Sequence, residues 1–277
     1  MSRSGIGCIL LTVMCLLTTA AAAEEETHFV ELPILQAQYA HTHAITQAPA
    51  WAGSPQGFSF GEFFVSNNAW NRRGVPHFSQ TVFANEDGSE IGWTWDWPTI
   101  EPEQVRSFPY IVIGKTPARA ASTTARLPIR LSDVEACRLS YAVETVSSGK
   151  SNTAFDVWIT DDASASRDSV VMELMIWIDD CNMVEEEDIA NPRARINDQL
   201  VPFHYIERMP HGHWAYALFI VEDEGNLNVL PFIRYLIEEH YLNDDLFLAS
   251  IDFGNEIVSG TGLTVVKDLV LDLRATD

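Results

Sequence analysis

Basic residues are scarce. Against 39 aspartates and glutamates, the 277-residue chain carries 17 lysines and arginines, a formal charge of -22 at pH 7. A surface of that sign repels phosphate backbones, anionic lipids and polyuronates, which argues against nucleic acid, membrane surfaces and acidic polysaccharides as partners. A neutral ligand is indifferent to it. Cysteine is scarce too: Cys8 and Cys15 fall in the first 23 residues, leaving Cys137 and Cys181. Two such cysteines could pair in an exported protein. If the strands between them form a meander, however, they fall at opposite ends of a sheet, so they are expected to stay apart.

Long apolar runs are missing. The longest, Ile6 to Leu17, falls short of the roughly 20 residues a spanning helix needs; with Arg3 before it and Ala20 to Ala23 after it, it reads as a removable export signal over residues 1–23. The protein is then secreted, one unit more negative for the loss of Arg3, and free of any membrane. Metal-ligand spacing is also absent. His211 and His213 in "PHGH" have no third ligand near them and are expected to face solvent, and the acidic run "EEED" at 185–188 lacks the order of a calcium loop. No metal and no cofactor is expected. The chain carries Ser, His and Asp, yet nothing in their arrangement marks a serine-nucleophile triad. It has no internal repeat and no linker after residue 56, so residues 24–55 read as an N-terminal arm and 56–277 as one domain, expected to be a monomer.

What is present is strand-like sequence. "HFSQTVFAN", "IGWTWDWP", "LSYAVETV", "TAFDVWIT", "VVMELMIWI" and "HWAYALFIVED" alternate aromatic and β-branched residues at period two between turn signals, the pattern of an antiparallel sandwich. One segment has helical period: "NVLPFIRYLIEEHYL" sets Val229, Leu230, Ile233, Leu236 and Ile237 on one stripe, with Asn228 as N-cap and Pro231 in the first turn.

Alternation also sorts side chains by face. Met172, Leu174, Ile176 and Ile178 share one side of "VMELMIWI"; Glu173, Met175 and Trp177 share the other. In "FDVWIT", Phe155, Val157 and Ile159 point in, Asp156 and Trp158 out, and the same parity sets Asn68 with Trp70 in "SNNAWN". Trp93, Trp95 and Trp97 also share a face, but a tryptophan stripe in a sandwich is core, and at most one should touch ligand. A face of carboxylates, amides and indoles suits a sugar chain, whose rings stack and whose hydroxyls hydrogen-bond. A lone carboxylate in an apolar strand is costly unless paired or used. The second carboxylate is Glu256 in "DFGNEIVSGTG", bracketed by Gly254 and Gly260, as at a bulge beside a site. Two glutamates on one sheet match glycoside hydrolysis. The alternative is a lectin-like, non-catalytic carbohydrate-binding jelly roll, which would have no need of Glu256.

From about Phe64 to the C-terminus, five stretches in order, "VSNNAWN", "WTWDWP" with "VRSFP", "SNTAFDVWIT", "VMELMIWI" and "LFLASIDFGNEIVSGTG" after the helix, resemble glycoside hydrolase family 12. The resemblance implies an all-β jelly-roll sandwich of two antiparallel sheets with a concave substrate cleft and one α-helix. It also implies a retaining endo-β-1,4-glucanase or xyloglucanase acting on a neutral glucan: cellulose, mixed-linkage glucan or xyloglucan. Glu173 would be the nucleophile, Glu256 the acid/base and Asp156 a hydrogen-bonding support for Glu173; Asn68, Trp70, Met175 and Trp177 would bind substrate. The sequence departs from the family at Tyr110, where Asn is common, at Val258, often aromatic, and in the acidic 179–192 stretch where a Gly- and Pro-containing loop is usual.

Overall fold

A computed structural model describes residues 35–36, 38–45, 57–183, 193–210, 212–222 and 225–276. The leader 1–23, His211 and the "EEED" run lie outside the described residues. Among the described residues sixteen strands follow one another. The first seven are β1 (His41–Ile45), β2 (Gly57–Phe60), β3 (Phe63–Ser66), β4 (Ser79–Ala84), β5 (Glu90–Trp97), β6 (Tyr110–Gly114) and β7 (Ile129–Arg130). Then come β8 (Val134–Ser147), β9 (Lys150–Thr160), β10 (Val170–Cys181), β11 (Arg193–Ile196), β12 (Gln199–Ile206), β13 (Ala215–Ile220) and β14 (Asn226–Asn228). Helix α1 (Leu230–Glu238), β15 (Phe247–Gly254) and β16 (Ile257–Ala275) close the chain.

The strands form two layers. The back sheet runs β1-β4-β5-β16-β8-β14. The front sheet runs β2-β3-β6-β15-β9-β10-β13-β12, extended by β11. All these pairings are antiparallel except β10 with β13, which is parallel. β16 joins the layers: its first residues pair with β9 of the front sheet, and the rest pair with β5 and β8 of the back. The expected arm therefore contributes β1 as an edge strand of the back sheet.

Period-two alternation places the core between the sheets. Met172, Leu174 and Ile176 of β10 meet Phe155, Val157 and Ile159 of β9 there, together with all three tryptophans of β5. The β5 indoles are thus core throughout, as a stripe in a sandwich should be. Cys137, in the core on β8, and Cys181, at the end of β10, are both free thiols, and burial pushes the Cys137 thiol up to about 12. Helix α1 packs Leu230, Phe232, Ile233 and Leu236 inward. It starts one residue later than expected, with Val229 rather than Asn228 in the N-cap place, although Asn228 Oδ1 still accepts the Leu230 N–H at 3.4 Å.

Candidate active site

The outer face of the front sheet carries every carboxylate singled out above. Glu173 stands on β10 across from Trp158 of β9 and beside Tyr216 of β13. Its backbone is held by the apolar residues that alternate with it on the core side, which gives the carboxylate a rigid base. The Trp214 indole N–H donates to its Oε2 at 2.9 Å. The Arg167 guanidinium lies 5.3 Å over that indole, and Trp158 meets it edge-on. Burial pushes the Glu173 carboxyl up to about 7, opposed by the Trp214 hydrogen bond and the charge of Arg167.

Glu256 sits where the chain leaves β15 and enters β16, in a two-residue break. Asn152 of β9 clamps it: the Glu256 N–H donates to Asn152 Oδ1 at 2.8 Å, and Asn152 Nδ2 donates to Glu256 Oε2 at 2.6 Å. Asn152 N–H also donates to the Glu256 carbonyl at 3.0 Å. The preceding Asn255 is fully buried and fully used. Its Nδ2 donates to the Asn152 carbonyl and Thr153 Oγ1, and its Oδ1 accepts from Trp93 Nε1 and Thr264 Oγ1. The bracketing glycines have physical reasons. A Cβ at Gly254 would stand 2.3 Å from the Pro109 carbonyl oxygen, and Gly260 adopts φ +97° against Ser148, a region that side chains avoid. Burial pushes Glu256 up to about 7, opposed by the Asn152 hydrogen bond and reinforced by the charge of Glu173. The two carboxyls therefore sense each other, and their environments differ: Arg167 favours charge on Glu173, while Glu173 in turn disfavours charge on Glu256.

Asp156 lies on the same face, but its expected hydrogen bond to Glu173 is not formed. In the β9–β10 register it opposes Met175, two pairs along from Glu173, and its Oδ1 is buried without a partner. Its link to Glu173 is electrostatic. Burial, then the charges of Glu173, Asp252 and Glu256, hold it well above the usual carboxylate range, with Trp158 acting the other way. Asn68 and Trp70 were assigned by strand parity, yet β3 ends at Ser66 and residues 67–71 are irregular. The local reason is Asn67, whose side-chain amide donates to the carbonyls of His43 and Gln80 and whose Oδ1 accepts from Gln80; such side-chain bonds compete with a ladder. The loop is nevertheless stitched to the Glu256 region. Phe108 N–H donates to the Asn68 carbonyl, Asn71 bonds to Arg106 and Val105, and Arg106 and Ser107 bond to Ile257. Trp70 projects from it, 58 % exposed.

Met175 and Trp177 share the face of Glu173 but are buried rather than open. They cluster with Ala154 beneath Tyr216, Leu218, Ile220 and Met183, and Tyr216 O–H donates to the Met175 sulfur at 3.4 Å. Val258 and Tyr110 are buried as well. His213 is exposed, as expected, and no cluster of metal-ligating side chains exists among the described residues. Three partners escaped the sequence reading: Trp214, Asn152 and Asp252. Asn152 and Asp252 could have been found by extending the parity of Asp156 and Glu256 along their own strands. Trp214 had no signal beyond its place just before β13.

The sequence pattern of Glycosyl hydrolase family 12 matches residues 61–272, which include both glutamates and the strands that hold them. The chain belongs to that family. It is therefore a glycoside hydrolase. Among family relatives, Endoglucanase S of Pectobacterium parmentieri is 26% identical over 223 residues, 78% of this chain and 84% of its own. A family 12 xyloglucanase from Bacillus licheniformis, solved with a ligand, superposes at a TM-score of 0.69 with 26% identity, covering 85% of this chain and all of that one. An endoglucanase from Rhodothermus marinus shares the fold at a TM-score of 0.68 and 17% identity, over 84% of this chain and all of its own. The two-layered architecture is accordingly the family 12 jelly roll, strand-rich with helix α1 packed against it.

Proposed function

We propose that this family 12 enzyme is a secreted endo-β-1,4-glucanase that cleaves neutral β-glucans, such as cellulose, mixed-linkage glucan or xyloglucan, with retention of configuration. Residues 56–277 would be its catalytic domain, and residues 1–23, with Arg3 and the Ile6–Leu17 run, its export signal. The observation that carries the mechanism is the pair Glu173 and Glu256: two carboxyls on one face, each raised to about 7, each held by one donor. In the active form the pair holds one proton. Arg167 and Trp214 favour the anion on Glu173, which attacks the anomeric carbon. Glu256, repelled by that anion, keeps the proton and gives it to the leaving oxygen. Glu256 then takes a proton from water for the second displacement. A binding module would need neither the Trp214 bond nor the Asn152 clamp.

The neutral substrate is supported by the chain's charge and by Trp70, whose exposed ring offers a stacking surface near Glu256. Asn68 would serve the same subsites, and Met175 and Trp177 would shape the floor from beneath Tyr216. Among the described residues no helix is long and apolar enough to cross a membrane. The test is hydrolysis of barley-type β-glucan, carboxymethyl cellulose, xyloglucan, xylan and polygalacturonate under one set of conditions, with proton NMR of the first product. One of the three glucans should be cleaved fastest and the β anomer should appear first. Faster cleavage of xylan or polygalacturonate, or an initial α anomer, would refute the proposal.

Trp214→Phe tests the electrostatic part. It keeps the ring and removes the N–H that stabilises the Glu173 anion, so the carboxyl rises further. The acid limb of kcat/KM should then move up by about half to one pH unit. A limb that stays in place would mean that the indole does not set the nucleophile's charge.

A further inference from the structure

Asp252 on β15 has no role in the two-step hydrolysis, yet it stands directly across from Asp156 on β9. Opposed side chains of antiparallel strands lie on one face with Cβ atoms about 5 Å apart. Asp252 is 2 % and Asp156 5 % exposed, and each keeps an Oδ1 that is buried without a hydrogen-bond partner. Two ionised carboxylates that close, away from water, would repel each other by several kcal/mol. The charged and titratable groups around them are Glu173 on β10, Glu256 after β15, Tyr110 on β6, Tyr216 on β13 and Arg119 in the loop after β6. Arg119 draws Asp252 down only in part: its guanidinium lies 3.8 Å over the Phe64 ring, and it makes no ion pair with either aspartate. Ser250 and Trp158 ease the charge on Asp252, and Trp158 that on Asp156, but one oxygen of each is left without a donor, and two such facing oxygens are satisfied by a proton between them.

We propose that Asp156 and Asp252 share one proton across the β9–β15 pair, and that this dyad holds a single negative charge beside the catalytic glutamates, with Asp252 as a positioning residue for their protonation. The placement follows from β9. Asn152, which clamps Glu256, and Trp158, across from Glu173, lie on one face of that strand with Asp156 between them. A charge on the dyad therefore acts on both glutamates. Burial is the first reason that both aspartates lie well above the usual carboxylate range, and the charge of Glu173 adds to it at each. Dyads of this kind titrate as a unit, one step low and one high.

The inference rests on the assignment of Glu173 and Glu256, so its test has an arm that does not need activity. In protein labelled with 13C at the aspartate carboxyls, one buried pair should show a titration step well above the ordinary carboxylate range. Asp252→Asn should abolish that step, because the asparagine amide then donates to an Asp156 that stays ionised. In the activity arm, Asp252→Asn preserves the single charge and should hold both limbs of the pH–rate profile within a few tenths of a unit. Asp252→Leu leaves Asp156 to take up a proton and lose the charge, so the basic limb should fall by about half a unit or more. Circular dichroism confirms that each variant folds, and if the leucine variant does not, labelled wild type and Asp252→Asn still decide. A high step that persists in Asp252→Asn, its absence from wild type, or equal limb shifts in the two variants would overturn the dyad. Loss of activity in Glu173→Gln bears on the catalytic assignment alone.

Discussion

Glu173→Gln and Glu256→Gln are each expected to lower glucan turnover by about three orders of magnitude or more, with the fold intact. Glutamine keeps the shape of each side chain and can still accept from Trp214 or Asn152, so what is lost is the attacking charge or the transferable proton. The same substitutions should make the protein more stable above neutral pH. Both carboxyls are raised in the folded state from the 4.5 of a free glutamate to about 7. Between those values the folded chain binds more protons than the unfolded one, so stability is lost as pH climbs through that window. An amide has no charge to desolvate, and each variant should gain on the order of 2 kcal/mol at pH 8. Urea melts at pH 5 and pH 8 beside initial rates are the measurement. Wild-type turnover in either variant would dismiss that residue from catalysis, and an unchanged melt at pH 8 would dismiss the buried-charge account of its raised carboxyl.

Asn255→Ala should be the most damaging substitution to the fold near the site. It strips partners from Trp93 Nε1, the Asn152 carbonyl and Thr153 Oγ1, all inside the protein, and takes one partner from Thr264. Each buried group left bare costs about 1–3 kcal/mol, and some relaxation is available, so a loss of roughly 3 kcal/mol and about 10 °C in Tm is expected. Asn255→Asp should do little better, since it turns a donor towards two acceptors into a third acceptor. A melting point within 2 °C of wild type, about half a kcal/mol, would show that the Glu256 turn is held by other means.

Period-two sequence made the layers legible. In the middle of β9 and β10 core residues alternate with residues of the outer face, so parity alone separated Val157 from Asp156 and Leu174 from Glu173. Strands without that contrast were hidden. β12 contains Pro202 in "QLVPFHYI", which lowers a strand reading, and β6 is apolar throughout and short. The "SNNAWN" parity failed because Asn67 anchors its own loop. Asp156 was placed on the right face, but the hydrogen bond to Glu173 that the resemblance implies is replaced here by an electrostatic link, with Met175 standing opposite, because register along β10 is fixed by contacts across the whole sheet. Sequence shows which face a residue takes, not which residue it meets there. Trp214 and Asn152 are 41 and 104 positions from the glutamates they hold, and separations of that size have no local signature.

β16 begins beside Glu256 in the front layer and becomes the middle strand of the back one. The proposed acid/base carboxyl is thus tied covalently, within one residue, to the most extensively paired strand among the described residues. Such a site has no private hinge and cannot melt by itself: fraying that reaches Glu256 must also open the ladder of the opposite layer. Loss of function on heating and loss of the whole structure then become one cooperative event, and the enzyme's useful temperature range ends where its global unfolding begins.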